Sequence, residues 1–203
     1  MSKLFTPGPL TTSLSVKKTM LTDYGSRDID FIKIIKDIRT KLTKIACYSS
    51  NKIDDFTTIL IQGSGTYSIE ATLNSCIPKN DENNKLLIVI NGKYGERLKK
   101  IADKLNIINI KLEYLDIQKI NIKDVEKILD KNKNIKYLAM IHHETSTGQL
   151  NKIREIGKLL KEKNVTFILD SMSAFGAVEL DVFEDNIDFL VSSSNKCLEG
   201  VPG

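Results

Sequence analysis

Five consecutive aliphatic residues, Leu86-Leu87-Ile88-Val89-Ile90, run directly into Asn91-Gly92-Lys93-Tyr94-Gly95-Glu96-Arg97. The run lacks the polar alternation of a half-exposed strand and is bounded by turn residues. It reads as a strand buried on both faces. Such a strand needs covering elements above and below, and the neighbouring sequence supplies them. Helical spacing is predicted from Tyr94 to Leu105, and again over Ile122 to Leu129 and Lys152 to Lys163. Further strands are predicted over Ile107 to Leu115, Ile135 to Ile141, Val165 to Leu169 and Phe189 to Val191. Upstream, Thr57-Thr58-Ile59-Leu60-Ile61 reads as a short buried strand, and Ser64 to Cys76 as a helix stopped by Pro78. Strand–helix alternation of this kind predicts an α/β fold, a mostly parallel sheet with helices on both faces.

The N-terminal end differs. Thr6-Pro7-Gly8-Pro9 excludes helix, because two prolines bracket a glycine, and Tyr24-Gly25-Ser26-Arg27-Asp28 is a polar turn. Residues 1–28 are therefore expected to form an irregular arm, with 29–203 as one large domain. Asp28 is placed to cap a helix over 29–46, where Ile29, Ile32, Ile35, Ile38, Leu42 and Ile45 recur at helical spacing.

Composition excludes several classes. The 203 residues are 41% hydrophobic and carry a net charge of +4, with lysines scattered over helical faces. No basic stripe with interleaved aromatics suggests nucleic acid, and there is no tryptophan. Apolar runs fall well short of the ~18 residues that span a membrane. Cys47, Cys76 and Cys197 form neither a metal spacing nor an even disulfide framework. With no secretory pattern at the N-terminus, a reducing cytoplasmic setting is expected.

In open parallel sheets, ligands bind beyond the carboxyl ends of the strands. The strand exits are the residues to read. The first predicted strand is followed by Gln62-Gly63-Ser64-Gly65-Thr66 at a helix start. Free N–H groups, a partial positive charge and two hydroxyls make this a candidate phosphate cradle, or simply a capped helix. It is neither a Walker loop nor a dinucleotide fingerprint. Tyr94, between two glycines, either stacks on a planar ring or packs as an ordinary aromatic. His142-His143-Glu144-Thr145-Ser146-Thr147-Gly148 superficially resembles a metal cluster. Adjacent strand residues point to opposite faces, however, so the two histidines are not expected to share a metal, and no metal site is assigned. The hydroxyl run Thr145-Ser146-Thr147 suits ligand hydrogen bonds instead. Asp170 ends an aliphatic strand and, if buried, needs a partner. Lys196 stands among small residues in Ser192-Ser193-Ser194-Asn195-Lys196-Cys197, where an apolar setting would favour its neutral amine.

Together these features match what pyridoxal 5'-phosphate requires. A helix start takes the phosphate and an aromatic flanks the ring. A carboxylate, Asp170, pairs with the pyridinium nitrogen, and a lysine, Lys196, holds the aldehyde and moves protons. Asp170 and Lys196 are 26 residues apart, room for a short connection and a neighbouring strand.

The sequence also resembles a known family, the fold-type I, class V aminotransferases, and in particular their 2-aminoethylphosphonate–pyruvate transaminase branch. The resemblance rests on Leu4-Phe5-Thr6-Pro7-Gly8-Pro9-Leu10, Asp23 to Asp28, Gln62 to Thr66, Asn91 to Gly95, Glu144 to Gly148, Asp170 to Ser173 and Ser194 to Gly203. It implies the large domain of a fold-type I enzyme. Lys196 is then the Schiff-base lysine and Asp170 the pyridinium partner. Ser64, Gly65 and Thr66 hold the phosphate, Tyr94 stacks on the ring and Thr145 touches its hydroxyl side. It further implies a homodimer that completes each site with the partner subunit. The implied reaction converts 2-aminoethylphosphonate and pyruvate to phosphonoacetaldehyde and alanine. The family runs on for about 150 residues, a second domain of usual size. The expectation is therefore of a fragment ending just after the cofactor lysine, without the small C-terminal domain. Alternatives on the same frame are alanine–glyoxylate or serine–pyruvate transamination, cysteine desulfuration, or an inactive cofactor-binding domain. A desulfurase needs a mobile nucleophilic cysteine, whereas Cys197 adjoins the lysine and suits packing.

Overall fold

The structure is a computed structural model and describes residues 3–49, 52–115 and 118–202. Five parallel strands form one sheet in the order β2-β1-β3-β6-β7: β1 is Lys85–Ile90, β2 Asn109–Glu113, β3 Ile135–Ile141, β6 Thr166–Asp170 and β7 Phe189–Val191. A two-stranded antiparallel hairpin, β4 (His143–Glu144) with β5 (Gln149–Leu150), follows β3 at once.

Side-chain alternation divides the core into two layers, one on each face. Leu86, Ile88, Ile90, Ala139, Ile141, Ile168 and Val191 point to one face. There they meet Ile69 and Leu73 of α3 (Gly65–Cys76) and Leu98 and Ala102 of α4 (Lys93–Lys104). Leu87, Val89, Leu138, Met140, Phe167 and Leu169 point to the other face. They meet Val125 and Leu129 of α5 (Ile122–Lys131) and Ile153, Ile156, Leu159 and Leu160 of α6 (Ile153–Lys163). The aliphatic runs are thus buried on both sides, as their lack of alternation predicts, and the α/β class is what the structure shows.

Several expectations fail locally. Thr57–Ile61 is not a buried strand. It has no regular secondary structure, with Ile59 76% exposed, and among the described residues it joins neither sheet. Strand β2 is shorter than predicted, although Ile107 just before it is buried. The arm is not wholly irregular, since Leu14–Thr19 forms a short helix, α1. Ser13 caps it by accepting from Val16 N at 3.2 Å, and Lys17 and Lys18 suit its C-terminal dipole. This helix buries no residue, so apolar periodicity could not reveal it. Helix α2 spans Ile29–Ala46 as expected, but the Asp28 side chain does not cap it. Its Oδ2 turns back to accept from Gly25 N at 2.6 Å.

Gly157 shows how closely the α6 layer packs. A Cβ there would lie 1.8 Å from the backbone oxygen of Asp185. Helix propensity alone makes Gly→Ala favourable by about 1 kcal/mol. Here overpacking against backbone reverses the sign, and Gly157→Ala is expected to destabilise by about 1–3 kcal/mol. Denaturant titration checks it, and a stabilised variant would show that the layer gives way.

Candidate functional site

The sheet order changes direction at β1, with β2 on one side and β3 on the other. Beyond that switch, the strand exits open onto a cavity of about 170 Å³. Ser64, Gly65, Thr66, Tyr94, Thr145, Asp170 and Lys196 all line it. All seven residues picked from the sequence therefore share one site. Grooves of about 610 Å³ lie along α2 and beside Leu150, but neither contains any of these residues. Arg27, on the exposed N-terminal turn, does not line the cavity.

Each wall has a local cause. Ser64 is the N-cap residue of α3, yet its side chain makes no capping bond. Tyr67 N donates to Ser64 O at 2.9 Å, while the N–H groups that open a helix have no intrahelical acceptor and can meet an anion. Gly65 packs closely against Met172: a Cβ there would lie 2.4 Å from Met172 Sδ and would push that side chain aside. Tyr94 lies in the first turn of α4. The Arg97 guanidinium sits 4.9 Å from its ring centroid, within cation–π range.

Asp170 ends β6, in register with Ile141 and Val191. It is 8% exposed, and Oδ1 accepts from Met172 N at 3.1 Å. Burial pushes the carboxyl up to about 6. The Met172 hydrogen bond opposes that shift, the charge of Glu144 adds to it, and Arg97 and Lys196 offset part of it. No ion pair holds Asp170 among the described residues. A carboxylate in this state fits a cationic ring nitrogen, so the residues present suit pyridoxal phosphate. The adjacent histidines diverge as strand geometry requires. His142 is buried with Nδ1 2.9 Å from Ser171 Oγ, while His143 lines the cavity. Desolvation drives His142 down to about 4, so it is neutral at pH 7.

Lys196 is half-buried in the loop after β7. Glu199 N donates to its carbonyl at 2.8 Å, and Gly200 N donates to Ser194 O at 2.8 Å. Cys197 Sγ lies 3.5 Å from Ser173 O, held within the fold rather than presented to the cavity. The arm contributes as well. A Cβ on Gly8 would lie 2.3 Å from Lys196 Cδ, so the turn containing Pro7 and Pro9 is pressed against the lysine side chain.

Seven further lining residues were not assigned to the site from the sequence: Arg97, Ile141, His143, Met172, Ser173, Ser193 and Asn195. Arg97 had a usable signal, because i and i+3 share a helix face with Tyr94. The approach of Gly8 to Lys196 had none, being a tertiary contact across almost the whole chain.

A strand-end carboxylate, a lysine in the loop after β7 and a helix start surround one cavity. The Aminotransferase class-V family matches residues 17–203, and the chain belongs to it. Over 200 residues it is 46% identical to the bifunctional phosphonoacetaldehyde hydrolase/aminoethylphosphonate transaminase of Clostridioides difficile, covering 98% of this chain and 30% of that protein. It is 44% identical to the 2-aminoethylphosphonate–pyruvate transaminase of Bacillus cereus, covering 98% and 53%. Among solved structures, ureidoglycine–glyoxylate aminotransferase from Bacillus subtilis superposes with a TM-score of 0.86 at 28% identity, over 98% of this chain and 49% of that one. Alanine–glyoxylate aminotransferase from Nostoc gives 0.88 at 25% identity, over 100% and 52%. The chain spans about half the length of most of these relatives and less of the bifunctional one.

The two buried titrating groups predict opposed pH effects in the cofactor-free protein. Asp170 has a raised folded pKa, so its contribution to stability falls as pH rises from about 4 to 6. His142 has a lowered one, so its contribution rises across about pH 4 to 6.5. Each limiting slope is about 1.4 kcal/mol per pH unit. Relative to the parent, Asp170→Asn should gain stability with rising pH and His142→Asn should lose it. Denaturant titrations at several pH values check this, and parallel profiles would contradict burial as the cause.

Proposed function

We propose that this chain forms the cofactor-holding part of a pyridoxal-phosphate-dependent transaminase. It would pass the amino group of 2-aminoethylphosphonate to pyruvate, giving phosphonoacetaldehyde and alanine. The observation that carries this reading is the meeting of Asp170, Lys196 and the start of α3 around one cavity. When bound, pyridoxal phosphate supplies an electron sink through its protonated ring.

The chain's residues divide the remaining work. The first N–H groups of α3, with the Ser64 and Thr66 hydroxyls, hold the phosphate. Tyr94 flanks the ring and Thr145 hydrogen-bonds at its hydroxyl side. Asp170 keeps the ring nitrogen protonated, and the pairing offsets the burial that otherwise raises its own pKa. Lys196 Nζ would tether the cofactor and, once the incoming amine has displaced it, would take the proton from the donor carbon bearing nitrogen and in the second half-reaction deliver one to the carbonyl carbon of the acceptor. His142, buried against Ser171, does not line the cavity.

The choice of donor and acceptor rests on the relatives at 44–46% identity, whose names specify the aminoethylphosphonate reaction. The alanine–glyoxylate enzyme, at 25% identity, keeps a second donor–acceptor pair in view. Steady-state assays with each pair separate the two readings. We assign the protein to the cytoplasm and to a homodimer. No helix among the described residues is long and apolar enough to cross a membrane. Phe5, Leu21 and Ile29 are exposed at 93%, 83% and 71%, which suits a second copy.

Full-length protein mixed with pyridoxal phosphate should show a visible absorbance band that Lys196→Ala abolishes; persistence of the band in that variant would sink the assignment. Asp170→Ala should keep some cofactor yet lose about 10²-fold in kcat, the scale of one aimed electrostatic contact.

A further inference from the structure

Glu144 is fully buried at 0% exposure, an unusual position for a carboxylate. It does not line the cavity. Its Oε2 accepts from Tyr94 N and Gly95 N, both at 3.1 Å. Its Oε1 accepts from Ser146 N at 3.2 Å and from Ser146 Oγ. Ser146 Oγ in turn accepts from Lys93 N at 3.0 Å. A carboxylate from the β4–β5 hairpin therefore caps the start of α4, which has no capping side chain of its own because its N-cap residue is Gly92. The glycine is obligatory here: a Cβ on Gly92 would lie 2.4 Å from Glu144 Cγ and 2.6 Å from Ser146 Oγ.

The two elements joined in this way form two walls of the cavity. Helix α4 supplies Tyr94, and the hairpin turn supplies Thr145, next in sequence to Glu144. We propose that Glu144 is a positioning residue that clamps the Tyr94 wall to the Thr145 wall and so fixes where the planar cofactor ring lies. This rests on the function proposed above. The four donors that meet the carboxylate come from both walls, so neither wall can shift without breaking charge-assisted hydrogen bonds. An amide cannot replace it, since its nitrogen donates and would face N–H groups.

The test has two arms. In the cofactor-free protein, Glu144→Gln should speed amide hydrogen exchange at Tyr94 and Gly95 at least about tenfold, leaving the β3 and β6 amides unchanged. In the full-length protein, it should weaken pyridoxal phosphate binding, read from the Lys196-dependent band, at least about tenfold. Combined with Tyr94→Leu, the loss should be smaller than the product of the two single effects. Ser146→Ala, which keeps the carboxylate, should shift both readouts in the same direction by a smaller factor and guards against a Glu144 variant that fails to fold. Unchanged exchange at Tyr94 and Gly95, or multiplicative losses in the double variant, would overturn the proposal. A parent protein that shows no Lys196-dependent band would instead overturn the cofactor reading, while the exchange arm still decides whether Glu144 clamps α4.

Discussion

Asp170 is the last residue of β6, flanked in register by Ile141 of β3 and Val191 of β7. A carboxylate enclosed this way is costly unless a cation meets it. Among the described residues its carboxylate has one backbone donor, Met172 N, and the partial influence of Arg97 and Lys196. The site is arranged around this incomplete compensation. Parallel register brings the exits of β3, β6 and β7 level with one another. The chain then places an aromatic, a hydroxyl run, a lysine and a helix start on the same rim. A protonated ring nitrogen would supply the missing positive charge, which ties cofactor binding to the electrostatics of the fold.

The surrounding polar contacts fix this rim. Asn91, after β1, donates to Asn151 Oδ1 at 2.9 Å, and Asn151 donates to Ile141 O at 2.8 Å. Glu144 joins the hairpin to α4, and Ser173 Oγ donates to His143 O at 2.9 Å. Buried polar groups satisfied by bonds between neighbouring strand exits make the rim more rigid than loops alone would be. Preorganisation of this kind would suit the flat ring of the cofactor proposed above.

Much of this was legible in the sequence, for identifiable reasons. Continuous aliphatic runs reveal strands buried on both faces, and a residue just past such a run must lie on the rim. Asp170, Tyr94, Thr145 and Lys196 could therefore be placed before any coordinates. The same reasoning failed at Thr57–Ile61, because strand-forming composition cannot show whether a neighbouring strand is present to pair. It failed at α1 because that helix buries nothing. It passed over Glu144 and Gly92, whose roles depend on a contact about fifty residues away in sequence. Neither the cap on α4 nor the need for a glycine there follows from local pattern.

In the function proposed here, Asp170 holds the ring nitrogen of bound pyridoxal phosphate in its protonated state. Nitrogen-15 NMR of ring-labelled cofactor in the full-length protein measures this directly. A protonated-pyridinium shift should persist at pH 8 in the parent and move to the unprotonated range in Asp170→Asn. An unprotonated nitrogen in the parent at pH 8, or a shift unaffected by Asp170→Asn, would contradict it.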